Sequence, residues 1–327
     1  MARIAIDAMG SDNGSKMVVA SVKKYKMDHP ETVFYVCGRE EELQELKGIA
    51  EIVDAKDVMG MEDGALAVMR NRNTSMYKAC DLVANGTCDG VVSAGSTGAF
   101  LTCATIRLKM IEGIHRACLC TTFPTSDGKG VTILDIGANN ENQPEHLVQF
   151  AKIGEVYAKK VRNIENPRIY LISNGAEDKK GSPLIKATNP LLRENNKYFK
   201  GNLEARYALS GEADVLVTPG FEGNILLKST EGTAKMVSTL LNGAFRKNIF
   251  TKIGYLFARN GIKEMKDTMN YKKYGGAMLL GVNGAVVKGH GNSDEESFYN
   301  AIKYADLMIQ TNVVNKIKEE FTNAKNN

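Results

Sequence analysis

A short apolar run that ends in a small, glycine-centred polar turn occurs four times in this chain, and it restricts the fold more than any other feature. The turns are Asp7-Ala8-Met9-Gly10-Ser11-Asp12, Ser93-Ala94-Gly95-Ser96-Thr97-Gly98-Ala99, Asp135-Ile136-Gly137-Ala138-Asn139 and Thr218-Pro219-Gly220-Phe221-Glu222-Gly223-Asn224. Strands are predicted at Arg3 to Ala8, Thr32 to Cys37, Gly90 to Ala94, Ala117 to Thr122, Val131 to Ile136, Arg168 to Ser173, Asp214 to Thr218 and Ala285 to Lys288. Helical periodicity lies between most of them, as in Thr97 to Met110, Pro144 to Val161 and Phe221 to Asn242. Strands that alternate with helices pair mainly in parallel, and such a sheet is covered on both faces. The expectation is a three-layer α/β/α fold on a mainly parallel sheet. Ser293 to Thr322 reads as one long amphipathic helix packed on the outside. No repeat or obvious linker interrupts residues 1–327, which are expected to form a single α/β domain with two lobes.

Composition excludes several functions. A net charge of +4 is too mild to imply nucleic-acid binding by itself. No apolar stretch approaches the ~18 residues of a membrane span, and the apolar run at Met1 to Asp7 is too short for a signal peptide. The six cysteines show no Cys-x-x-Cys pair and read as reduced, buried thiols of a cytoplasmic protein. The four histidines have no ligand-like spacing, so no metal is expected.

The turns carry the chemistry. Ligands of open parallel sheets bind at the carboxyl ends of strands. Glycine lets the backbone approach a ligand, and a helix N-terminus aims free N–H groups at an anion. Ser96 and Thr97 add hydroxyl donors. One such turn is commonly just a tight connection; four, each flanked by Ser, Thr, Asp or Asn, point to one shared anion site. None fits the dinucleotide G-x-G-x-x-G pattern or a P-loop, so no nucleotide cofactor is supported. A second cluster, Asn174-Gly175-Ala176-Glu177-Asp178-Lys179-Lys180-Gly181, follows the strand ending at Ser173. A lysine there either reaches over the sheet edge to a phosphate or carbonyl, or is a solvated surface lysine. Asn202 and Glu204 frame the same edge. His290, between Gly289 and Gly291, is either a ligand-facing donor or a turn residue. No Gly-x-Ser-x-Gly elbow or paired nucleophile is evident, which favours direct transfer between bound substrates.

Seven ordered motifs carry a resemblance: Ile4-Ala5-Ile6-Asp7-Ala8-Met9-Gly10, Ser93-Ala94-Gly95-x-Thr97-Gly98-Ala99, Asp135-x-Gly137-Ala138-Asn139, Glu177-Asp178-Lys179-Lys180-Gly181, Gly220-Phe221-x-Gly223-Asn224, Tyr274-Gly275-Gly276-Ala277 and His290-Gly291-x-Ser293-Asp294. The chain resembles the PlsX-type phosphate acyltransferases of bacterial phospholipid synthesis over nearly its whole length. That resemblance implies an isopropylmalate dehydrogenase-like and phosphotransacetylase-like fold. It implies a homodimer working near the membrane, and conversion of acyl carrier protein thioesters and inorganic phosphate into acyl phosphates, with no cofactor. Ser11 and Asn13 stand where the family has glycine and histidine, and Ser96 where it has asparagine.

The expected phosphate- and substrate-binding residues are Asp7, Gly10, Asp12, Ser93, Gly95, Ser96, Thr97, Gly98, Asp135, Gly137, Asn139, Glu204, Gly220, Gly223 and His290. Lys180 and Asn224 are the expected donors to the tetrahedral oxyanion. Competing expectations are a short-chain phosphotransacylase using acyl-CoA, a dehydrogenase of the same fold, and a non-catalytic membrane-associated scaffold. The dehydrogenase needs a nicotinamide site and clustered aspartates, which the sequence does not offer.

From Met236 to Phe257 apolar residues recur at helical spacing, and Leu241 to Gly275 holds eight basic residues against two acidic ones, a local charge of +6. An amphipathic helical hairpin is therefore expected at 236–272, protruding from the domain. Its partners are expected among an anionic membrane surface contacted peripherally, the acidic carrier protein, and a second copy of the chain.

Overall fold

The computed structural model describes residues 1–268 and 276–323. Eleven strands form one sheet: β1 (Arg3–Asp7), β2 (Val33–Gly38), β3 (Glu51–Asp54), β4 (Gly90–Ser93), β5 (Cys118–Phe123), β6 (Val131–Leu134), β7 (Ile169–Ser173), β8 (Phe199–Glu204), β9 (Val215–Val217), β10 (Ala277–Leu280) and β11 (Ala285–Lys288). The helices are α1 (Gly14–Asp28), α2 (Ala67–Arg70), α3 (Ser75–Ala84), α4 (Thr97–Leu108), α5 (Pro144–Lys160), α6 (Pro183–Asn195), α7 (Gly220–Arg246), α8 (Ile249–Thr268), α9 (Glu295–Gln310) and α10 (Val313–Asn323).

Each inner strand buries both faces, which makes the fold three layers deep. Ile4 and Ile6 of β1 pack into one core with α1, α5, α9 and α10, whereas Ala5 between them joins a second core with α3 and α4. Val92 and Val91 of β4 divide in the same way, as period-two alternation requires. Burying one such aliphatic side chain stabilises the fold by about 1.5–3 kcal/mol. All six cysteines are buried and free.

The strand order is β3-β2-β1-β4-β11-β10-β5-β6-β9-β7-β8. Seven neighbouring pairs are parallel, but β11–β10, β10–β5 and β5–β6 are antiparallel. The sheet therefore reverses at its centre. Strands β1 to β4 and β11 run one way, and β6 to β9 the other. This corrects the expectation of one shared carboxyl edge. The turns after β1, β4 and β11 lie on one edge, and those after β6, β7, β8 and β9 on the opposite edge.

Other differences have local causes. β3, β8 and β10 are not among the expected strands; β3 and β8 are the sheet's two edges and their polar sequences lack a continuous apolar run, whereas β10 is an apolar run of only four residues after a glycine-rich segment. The C-terminal helix is broken in two, because Asn312 adopts a left-handed φ of 54° between α9 and α10. Helices α7 and α8 form a hairpin with Phe245 and Tyr255 in ring contact and Lys266 donating to Asn242 Oδ1. The far end of the expected hairpin, with Lys272 and Lys273, and the motif residues Tyr274 and Gly275 lie outside the described residues.

Candidate active site

On the first edge, the sheet register puts three polar residues in one row. Asp7 pairs with Ser93, and Ser93 with Lys288, across β1, β4 and β11. Asp7 is buried, and both its oxygens are engaged. Oδ1 accepts from Ser75 Oγ at 2.6 Å and from the Met9 N–H at 3.2 Å, and Oδ2 accepts from Ser93 Oγ at 2.6 Å. Burial raises the Asp7 pKa, while these donors and nearby Lys288 oppose the rise. Gly95 donates its N–H to Ser93 Oγ, and a Cβ on Gly95 would lie 2.8 Å from Met76 Cε, so the turn admits only glycine without a shift. The turns are tied together by the Asp12 N–H to the Gly291 carbonyl at 2.9 Å and the Gly289 N–H to the Ser93 carbonyl at 2.9 Å. Asn13 reaches the Ser293 carbonyl at 2.7 Å, so this departure from the family pattern fastens the first turn to the segment before α9.

On the opposite edge, Asp135 organises the turn after β6. It is fully buried; Oδ1 accepts from the N–H groups of Leu119, Gly137 and Ala138, and Oδ2 from the N–H and Nδ2 of Asn139. Burial raises its pKa against the pull of these five donors. The start of α7 is pressed on this turn. A Cβ on Gly223 would fall 1.9 Å from the Asp135 carbonyl oxygen, and one on Gly220 would fall 2.2 Å from that of Asn139. Gly220 and Gly223 thus exist to let a helix start touch the neighbouring backbone.

A cavity of ≈ 280 Å³ runs between these regions along β5, next to the central strand β10. Leu119, Thr121 and Phe123 supply the sheet side at strand period, and Asn224, Leu227, Lys228 and Glu231 the α7 side at helical spacing. Asn224 to Glu231 spans about 10 Å of helix. Gly137 closes the Asn224 end, and Thr97, Lys288 and His290 close the other. Lys288 is 7% exposed, and its ammonium donates to the Gly289 carbonyl. Burial pushes it down to about 8; Asp7 and Asp12 oppose this and Lys228 adds to it. Glu231 meets Lys228 Nζ at 2.9 Å and His290 Nε2 at 3.4 Å. Burial pushes the Glu231 carboxyl up, but the His290 and Lys228 side chains beside it prevail and hold it below its ordinary value.

Of the expected site residues, the structure brings Thr97, Gly137, Asn224 and His290 to the cavity wall. Asp7, Gly10, Asp12, Ser93, Gly95, Ser96 and Gly98 belong to the turns that support its Lys288 end, and Asp135, Asn139, Gly220 and Gly223 to those that support its Asn224 end. The Asp7 and Asp135 oxygens are occupied by protein donors, so these residues shape turns rather than face a ligand. Lys180 is exposed and Glu204 is paired with Arg206 at 3.1 Å; both sit on the Asn224 edge and neither lines the cavity. Lys228, Glu231 and Lys288 line it without having been singled out from the sequence as site residues. Among the described residues, no cluster of three His, Cys, Asp or Glu is arranged to hold a metal.

The fold places the chain in a known class. It matches a branched-chain phosphotransacylase from Enterococcus faecalis at a TM-score of 0.62 and 17% identity, over 94% of this chain and 99% of that one. It matches a Streptococcus pyogenes phosphotransacetylase at 0.61 and 18%, over 94% and 93%. A Klebsiella pneumoniae 4-hydroxythreonine-4-phosphate dehydrogenase shares the fold at 0.55 and 11%, over 94% and 99%. These define a phosphotransacylase- and dehydrogenase-type α/β architecture.

The sequence then gives the family. Residues 2–316 match the model described as "Fatty acid synthesis protein". A Lysinibacillus sphaericus protein named phosphate acyltransferase is 42% identical over 97% of both chains. A namesake from Clostridium botulinum is 40% identical over 98% of both. The chain belongs to this phosphate acyltransferase family and is an acyltransferase of lipid synthesis.

Proposed function

We propose that the chain transfers a fatty acyl group from an acyl carrier protein thioester to inorganic phosphate, and that the cavity beside α7 is where the two meet. The observation that carries this is the cavity's polarity. Its Lys288 end offers Lys228, Lys288, His290 and the Thr97 hydroxyl to an anion. Its wall between the ends holds Leu119, Phe123, Ile136 and Leu227, which suit an acyl chain.

A phosphate oxygen attacks the thioester carbonyl carbon and forms the new C–O bond. The resulting oxyanion is held by Asn224, which lines the cavity; Lys180, the other expected donor, is exposed on the same sheet edge and does not line it. The C–S bond then breaks, the carbonyl re-forms, and the thiolate leaves and takes a proton from water. The thiolate is a good leaving group, so no strong acid is required. Removing one oxyanion donor costs about 3 kcal/mol in comparable sites, roughly a hundredfold in rate.

In the same reading the α7–α8 hairpin carries the dimer contact and a peripheral membrane contact of a cytoplasmic enzyme. Ile249, Phe250, Leu256 and Phe257 are exposed on it beside Arg246, Lys247, Lys252 and Arg259. Among the described residues no helix is long and apolar enough to cross a membrane.

The test is phosphate-dependent thiol release from two donors, long-chain acyl carrier protein and acetyl-CoA. The expected result is turnover of the first and little of the second. Turnover of acetyl-CoA alone would replace this reading with short-chain transacylation, and turnover of neither would remove it.

A further inference from the structure

We infer that Lys288 binds the attacking phosphate, with the buried Asp7 carboxylate as its fixed counter-charge one row across the sheet. This rests on the acyl-transfer reading above and names the residue that serves one of its substrates.

The argument starts from cost. A lysine ammonium taken out of water is unfavourable unless an anion faces it. Lys288 is 7% exposed and makes no ion pair among the described residues; the carbonyl of Gly289 takes one of its hydrogen bonds. Asp7 lies in register with it two strands away, which is about 10 Å between backbones, and the Asp7 oxygens are already taken by Ser75, Ser93 and Met9. Asp7 therefore offsets the charge at a distance without filling the ammonium's remaining donor sites. The other carboxylate of the cavity, Glu231, faces Lys228 and His290. An anion entering the cavity meets Lys288 as a point charge, with Lys228, His290 and the Thr97 hydroxyl around it. Thr97 opens the twelve-residue α4, and Ser96 makes no side-chain cap hydrogen bond there.

The groups that bear on Lys288 are Asp7 on β1, Asp12 after it, Lys228 and Glu231 on α7, and His290 beside it on the turn. Their balance leaves its ammonium near 8. Phosphate affinity of the free enzyme is therefore expected to fall as pH rises through about 8, where this charge is lost.

The experiment is calorimetric titration of the full chain with inorganic phosphate from pH 6.5 to 9.5, for wild type, Lys288→Met, Lys288→Arg and Asp7→Asn, alongside KM for each substrate. Lys288→Met is expected to weaken phosphate binding about tenfold or more and raise KM for phosphate, with KM for the acyl donor unchanged. Lys288→Arg is expected to recover most of the binding and to abolish the alkaline fall. Asp7→Asn removes the counter-charge and should move the fall to lower pH, which tests the idea even if Lys288→Met does not fold. Wild-type phosphate affinity in folded Lys288→Met, or an unmoved pH profile in Asp7→Asn, overturns it. A wild type that binds phosphate through Lys288 but releases no thiol would overturn the acyl-transfer reading and leave the binding assignment standing.

Discussion

Helices α5 and α7 follow neighbouring strands of the same half of the sheet, yet they are used differently. α5 buries ten of its 17 residues, among them Leu147, Phe150, Ile153 and Tyr157. α7 buries two of 27, Gly220 and Gly223, and both sit in its first turn. Length usually follows from the core a helix must cover. The core explains α5 entirely. It explains only the foot of α7, which is anchored on the Asp135 turn. The middle of α7 walls the cavity with Asn224, Leu227, Lys228 and Glu231, and its far end leads to exposed Met236 and Leu240. A helix that its own chain does not bury is built for something else: in our reading, a substrate on one face and a second copy or a lipid surface beyond it.

That contrast can be broken at several points. Phe150→Ala in α5 opens a fully buried site and is expected to destabilise the fold by about 3–5 kcal/mol in denaturant unfolding. A loss below about 1 kcal/mol would mean that α5 is not the core element it is taken for. Gly223→Ala pushes the foot of α7 off Asp135 and is expected to cost roughly 1–3 kcal/mol, with activity falling further than stability because Asn224 moves with the helix. Equal stability and activity would show that the anchor is dispensable.

A smaller effect concerns pH. Lys288 releases its proton near 8 in the folded chain and near 10.5 when unfolded. Between those values the unfolded state holds the extra proton, so this group makes stability rise with pH, and the burden it imposes is fully present below 8. The stability of wild type relative to Lys288→Met should therefore improve from pH 7 to pH 10; a flat difference would contradict the buried, charged lysine. Smallest on the fold is the hairpin. Phe250→Ser with Phe257→Ser removes exposed apolar groups and should change stability by less than about 0.5 kcal/mol. Flotation with anionic vesicles at low salt is nevertheless expected to fall; flotation equal to wild type would remove the membrane reading.

The same contrast explains what was legible in the sequence. Strands β1, β4 and β11 are continuous apolar runs, and their extents agree with the pattern to within a residue. β3 and β8 lack the pattern because edge strands are half solvated and mix Glu, Asp, Lys and Gly with their apolar residues, and β10 because its four apolar residues lie between glycines and read as part of a glycine-rich loop. Strand direction is a property of pairing rather than of any one run, so the central reversal was invisible, and four glycine turns were read as one edge when they occupy two. Thr97, Gly137, Asn224 and His290 were found through those turns. Lys288 carries no signal in the sequence, because a lysine after Ala-Val-Val has the pattern of a strand's solvated end. Glu231 and Lys228 carried a usable signal: with Asn224 and Leu227 they fall at positions i, i+3, i+4 and i+7 of one helical face.

The central claim is that one cavity joins the two opposed edges and receives phosphate at its Lys288 end. The most direct measurement is a crystal structure determined with inorganic phosphate. The account predicts a phosphate inside the cavity, within hydrogen-bond distance of Lys288 and the Thr97 hydroxyl. Phosphate held on the Asn174–Gly181 loop, with the cavity beside α7 empty, would contradict it.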